Sequence, residues 1–230
     1  MQYEIVTLPS RKIVAMSIRT GNQDPACSAK IGQLWDDFFC SGRCQALGVS
    51  PDAPCYGVYT NHHLDDNSYD ALVGCESSRC PEGFVEVELP TGDYAKFSLH
   101  GHVRQAVVEA WKQILDIPLP RAYTADFEVY RNCNEDLVAD IDIYVALADI
   151  CQSCGMPMTT AAHHGTERDG GISREYCCYC RQDGAFMQEC TMEQMVEACL
   201  DLGPQLYTDR AQAKKEMMAY FPTLKRWQNA

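Results

Sequence analysis

In HVRQAVVEAWKQIL, residues 102–115, apolar side chains return at Val103, Val107, Trp111 and Ile114, the three-and-four spacing of one helix face. An earlier stretch, SAKIGQLWDDFF at 28–39, predicts a second helix and also carries one tryptophan, Trp35. Other segments alternate apolar and polar residues, as in YDALVGCE at 69–76 and DIDIYVAL at 140–147, the period of half-buried strands.

These elements recur in the same order. CYGVYTN at 55–61 lies over FEVYRN at 127–132, matching Val58 to Val129, Tyr59 to Tyr130 and Asn61 to Asn132. Upstream, EIVTLPSRKIVAMS aligns with VEVELPTGDYAKFS, including Leu-Pro at 8–9 and again at 89–90. Strand, helix, strand, strand therefore occurs twice. Two such units predict an α+β domain in which a curved antiparallel sheet carries both helices, with a ligand groove where the copies meet.

One position breaks the repeat. Glu128 of DFEVYRN aligns with Gly57, and strand alternation sends Glu128 and Tyr130 to one face and Phe127 and Val129 to the other. A carboxylate without a partner in apolar surroundings costs several kcal/mol or takes up a proton, and it persists where it meets a cation or does proton chemistry. The plainer alternative is a partly solvated residue paired with Arg121 or Arg131.

Composition narrows the function. A net charge of −13, with no basic stripe, opposes direct binding to nucleic acid. No apolar run approaches the ~18 residues of a membrane span and the N-terminus lacks a secretory pattern, so a soluble cytoplasmic protein without membrane partners is expected. The 14 cysteines then read as reduced thiols or metal ligands rather than a disulfide framework.

Composition shifts near Ala148, which predicts two domains, 1–148 and 149–230. CQSC at 151–154 and CCYC at 177–180 bracket 22 residues that include the polar HHGTERDGG. Two Cys-x-x-Cys pairs present four thiolates for a closed tetrahedral site, so Cys151, Cys154, Cys177 and Cys180 are the expected ligands of a structural zinc. His163 and His164 are the less favoured substitutes, and Cys178 has the wrong spacing. A redox Cys-x-x-Cys is the competing reading, weakened by the presence of two pairs. Beyond the ribbon, Thr191 and Gln194 have capping-box spacing ahead of a helix, and a further helix is expected over about 208–220.

On LWDDFF, YGVYTN, VGCE, LPTGDYAKFSLHG, Trp111, RAYTADFEVY and DIDIYVAL, the first ~148 residues resemble the gyrase-inhibitor-like (GyrI-like) small-molecule-binding family, also found as the effector-binding domain of bacterial multidrug regulators. CQSCGMPM, EYCCYCRQDGAF, TMEQMVEACLDLG and FPTLKRW are similar to a zinc ribbon family of bacteria and archaea. The first resemblance implies an aromatic cleft with Glu128 at its floor. Trp35, Tyr59, Tyr94, Trp111 and Tyr130 are the candidate walls, suited to lipophilic cationic or aromatic ligands; a tryptophan or tyrosine on an apolar face is more often core than pocket, Trp111 with its aliphatic helical neighbours above all, whereas Tyr130 shares a strand face with Glu128. Such a module would sense or sequester its ligand. Without a helix-turn-helix, a regulatory role would need a protein partner, for which the ribbon is the natural dock. The resemblance also implies an enzymatic alternative, hydrolysis of cyclopropane-bearing genotoxic natural products with Glu128 as general base and Tyr130 as orienting group.

Overall fold

The computed structural model describes the chain except residues 41, 64, 204–206 and 229–230. It divides into two compact units, Met1–Leu147 and Ala148–Ala230.

The first unit runs β1 (Glu4–Leu8), β2 (Arg11–Gly21), α1 (Cys27–Cys40), α2 (Arg43–Ala46), β3 (Cys55–His63), β4 (Ser68–Cys75), β5 (Val85–Leu89), β6 (Gly92–His102), α3 (Val103–Leu115), β7 (Ala125–Arg131) and β8 (Val138–Ala146). Among the described residues its strands form one antiparallel sheet of eight, in the order β1-β6-β8-β7-β3-β4-β2-β5. That order is unchanged when the copies are exchanged, β1 for β5, β2 for β6, β3 for β7 and β4 for β8. The duplication is therefore a pseudo-two-fold whose axis passes between β3 and β7.

Each copy sends its leading strand to the other. β1 pairs with β6 and β5 with β2, at opposite ends of the sheet. Yet only residues 9–10 link β1 to β2 and only residues 90–91 link β5 to β6. Two residues reach at most about 10 Å including their flanking bonds, so the two ends must curl toward each other. The repeated Leu-Pro marks this crossing: proline lacks the N–H a ladder needs and ends the leading strand. Tyr94 ties down the second crossing through its hydroxyl, which donates to the Pro90 carbonyl at 2.7 Å.

The curl encloses one core and leaves two outside. Val6, Leu8, Val87 and Leu89 from the sheet ends join Tyr56, Val58, Tyr94, Phe127 and Val129 in the inner cluster. On the other face α1 packs on β2 and β4, burying Leu34 and Phe38, and α3 packs on β6 and β8, burying Val107, Ala110 and Ile114. The repeat extends to turn chemistry. Asn61 and Asn132 both take positive φ, 50° and 54°, and each carboxamide donates 2.7 Å to an aspartate, Asp70 or Asp140, at the third residue of the following strand.

Among its described residues the second unit has three short hairpins, β9 (Asp149–Ile150) with β10 (Pro157–Met158), β11 (His164–Thr166) with β12 (Ile172–Cys177), and β13 (Arg181–Gln182) with β14 (Ala185–Phe186), followed by α4 (Met192–Leu202), α5 (Arg210–Tyr220) and short 3-10 turns. Thr191 and Gln194 close a capping box on α4. Met195, Val196, Leu200, Phe221 and Leu224 form the core together with the cysteines.

Candidate functional site

The axis places the site. In the central ladder Gly57 pairs with Glu128, Val58 with Phe127 and Tyr59 with Asp126. When strands related by a two-fold pair antiparallel, the residues the repeat aligns face each other nearest the axis. Gly57 and Glu128 are that pair. The carboxylate thus stands on the axis, on the face covered by the helices.

Aromatic side chains from both copies surround it. Tyr59 donates to Glu128 Oε1 at 3.0 Å, its repeat equivalent Tyr130 donates to Oε2 at 2.6 Å, and Trp111 Nε1 donates to Oε1 at 2.5 Å. Trp35 and Trp111 occupy the same place in their helices, each eight residues after the first. Each packs edge-to-face on the tyrosine of the other copy, Trp35 on Tyr130 with centroids 4.9 Å apart and Trp111 on Tyr59 at 5.8 Å. The cage is interlocked between copies.

Glu128 is 1% exposed and forms no ion pair among the described residues. Arg121 pairs instead with Asp126, and Arg131 with Asp142. Burial raises the Glu128 pKa, opposed by the hydrogen bonds from Tyr130, Trp111 and Tyr59, and burial prevails. Both tyrosines are held well above their ordinary pKa, by burial first and then by the nearby carboxylate, so they remain donors. The carboxylate has four lone-pair positions and three donors here, with all three donors neutral.

Of the six expected ligand residues, Glu128, Tyr130, Tyr59, Trp35 and Trp111 meet in this cage, whereas Tyr94 lies across the sheet. Tyr94 packs edge-to-face on Phe127 at 5.4 Å in the inner core. Tyr69, which the repeat does not single out, stands beside the cage. Its ring stands edge-to-face to Tyr59 at 5.8 Å and its hydroxyl lies 3.2 Å from the Cys27 Sγ, at the first residue of α1.

In the second unit the Sγ atoms of Cys151, Cys154, Cys177 and Cys180 all lie within 4.8 Å of one another, with Cys154 and Cys177 at 3.7 Å. A tetrahedron of thiolates at ~2.3 Å from zinc has S···S edges near 3.8 Å, so the donor set fits that ion. Outer-shell support is present: the Cys177 N–H donates to the Cys151 Sγ at 3.3 Å, and Gly155 takes φ 74° to turn the first knuckle. The histidines are engaged elsewhere, His163 Nδ1 with the Thr159 N–H at 3.2 Å and His164 Nδ1 with the Ser173 carbonyl at 3.0 Å. Four protein sulfurs leave no coordination position for water, which makes the implied metal structural.

Residues 4–147 match the family described as integron-associated effector binding protein. The chain belongs to that family. Residues 150–228 match a second family, described as "Putative zinc ribbon domain". An integron cassette protein from the mobile metagenome of Vibrio cholerae is similar in structure, with 27% identity and a TM-score of 0.52 over 63% of this chain and 94% of that one. SAV2435, solved bound to tetraphenylphosphonium, has 16% identity and a TM-score of 0.52 over 63% of this chain and 93% of that one. The fold is GyrI-like, as the sequence resemblance implies. No curated protein matches the sequence.

Proposed function

We propose that the first unit binds lipophilic organic cations between the aromatic rings around Glu128. The observation that carries this reading is a buried carboxylate held by three neutral donors and faced by two tryptophans and two tyrosines. A cation supplies the charge that the site lacks, and aromatic faces attract it by ~0.5–2 kcal/mol per contact. Burial now disfavours the ionised carboxylate, and an incoming cation relieves that cost. The tetraphenylphosphonium bound by SAV2435 supports the ligand class through shared fold alone.

The cage is closed over the carboxylate. A cation that reaches Glu128 must replace at least one ring now packed against it, so binding is coupled to an aromatic rearrangement. The bound state is the signal that a regulator could pass on, with the zinc ribbon as the surface offered to a protein partner.

Calorimetric titration of tetraphenylphosphonium into wild-type protein and Glu128→Gln tests the proposal, with triphenylphosphine oxide as a neutral comparison. Selective loss of the cation in the variant supports it, and equal cation affinity in both proteins sinks it. The hydrolase reading has one supporting observation, the raised pKa of Glu128, which brings a carboxylate closer to the range of an effective general base. Incubation with a cyclopropane-bearing alkylator separates the readings: ring-opened product in excess of protein, absent with Glu128→Gln, would make the unit an enzyme.

A further inference from the structure

Cys44, Cys55 and Cys75 share the apolar layer between α1 and the sheet with Val14, Leu34, Phe38 and Val73. Cys55 opens β3 and Cys75 closes β4. Tyr56 pairs with Gly74 in that antiparallel ladder, so Cys55 and Cys75 are the next opposed positions, and their Sγ atoms are 3.7 Å apart. Opposed residues of antiparallel strands have Cα atoms ~4.5–5.5 Å apart, within the ~4.4–6.8 Å that a disulfide spans. Bond formation closes the 3.7 Å between the sulfurs to ~2.05 Å.

We propose that Cys55 and Cys75 form a reversible covalent site that reacts with low-molecular-weight disulfides and closes to a cross-strand disulfide. The two thiols are prepared unequally for this exchange. A hydrogen bond from Cys75 holds the Cys55 thiol below its ordinary pKa, and the same bond, with burial, holds Cys75 above. Cys55 is partly exposed whereas Cys75 is 1% exposed. Exchange therefore begins at Cys55.

The Cys55 thiolate attacks one sulfur of the small disulfide, forming a mixed disulfide and expelling one small thiolate, which takes the proton that Cys55 gave up. Cys75 then loses its proton and attacks the Cys55 sulfur, expelling the second small thiol. Two protein thiols are oxidised and one small disulfide is reduced to two thiols. The covalent link lies beside the carboxylate cage, because Cys55 faces Tyr130 across the β3–β7 ladder and stands two residues from Gly57. The proposal concerns thiol chemistry and holds whether or not the cage binds cations.

The test treats full-length, zinc-supplemented, reduced protein with glutathione disulfide, alkylates remaining thiols under denaturing conditions and maps peptides by mass spectrometry. The expected product is a Cys55–Cys75 crosslink that lowers the chain mass by two hydrogens, is reversed by dithiothreitol and persists in Cys44→Ser. Mapping the wild-type chain needs no variant to fold. Free, alkylated Cys55 and Cys75 after treatment would overturn the proposal, as would a link from either to Cys44. Glutathione adducts confined to the exposed Cys40, Cys80 and Cys133 would overturn it equally.

Discussion

Gly57 stands opposite Glu128 across the central ladder, and a Cβ added to Gly57 would lie 2.8 Å from Glu128 Oε2 and 3.1 Å from Trp35 Cζ2. The repeat supplies two equivalent positions on one axis with room for one long side chain. The asymmetry of the sequence is a packing requirement of the symmetric fold.

Gly57→Ala should therefore displace the carboxylate or Trp35. Alanine would otherwise help a strand, so the expected loss of ~1–3 kcal/mol, the usual range for overpacking, isolates the crowding. Cation affinity should fall about tenfold or more, roughly 1.4 kcal/mol. Thermal unfolding and titration check both. Exchange of the pair, Gly57→Glu with Glu128→Gly, should fold better than Gly57→Glu alone, since Trp35 and Tyr130 can take the parts of Trp111 and Tyr59.

Glu128→Gln should leave stability unchanged or raise it at neutral pH. Burial lifts the folded pKa of Glu128 above its unfolded value, so the folded state binds its proton more tightly. This group's contribution is most favourable below about pH 4.5 and declines as pH rises through the raised folded pKa. The difference between Glu128→Gln and wild type should accordingly move in favour of glutamine from pH 4 to pH 8. Melts of both proteins across that range give the sign; a trend toward glutamate would mark the ionised side chain as a net anchor of the fold.

Much of this architecture was legible because the repeat is written in residues that control backbone and packing. Leu-Pro ends each leading strand, Asn61 and Asn132 take matching left-handed turns, and Trp35 and Trp111 hold matching helix positions. The exchange of leading strands was not legible, because chain order does not say which strands become neighbours. Residue type alone places Tyr94 among the cleft walls; its pairing with Val6 and Ala146, and with them the inner face, exists only once the sheet has curled. The opposition of Gly57 and Glu128 was implicit in the alignment but needed the antiparallel β3–β7 pairing to appear. The cysteine spacing carried the second unit more directly, since four thiolates in two knuckles define a site almost without reference to the rest of the fold.

Cation binding should carry a proton signature. If the ligand requires ionised Glu128, affinity falls up to tenfold per pH unit once pH drops below the raised pKa of the free protein. In that range binding releases a proton, and the calorimetric heat should change with the ionisation enthalpy of the buffer. A buffer-independent heat together with pH-independent affinity from pH 4 to 8 would remove Glu128 from recognition.

Protein purified without chelators should contain one zinc, and Cys151→Ser or Cys177→Ser should lose it, because both sulfurs are buried and each supplies one corner of the four-thiolate set. Met195, Leu200 and Phe221 pack around those cysteines, so the second unit should unfold with the metal. Its loss should not reach the cage: Glu128 and its donors all lie within Met1–Leu147. Elemental analysis measures the zinc, and tetraphenylphosphonium titration of the same samples measures the cage. Parallel loss of zinc and cation affinity would mean that the first unit depends on the second, whereas retained affinity in zinc-free protein would establish the ribbon as a separately folding support.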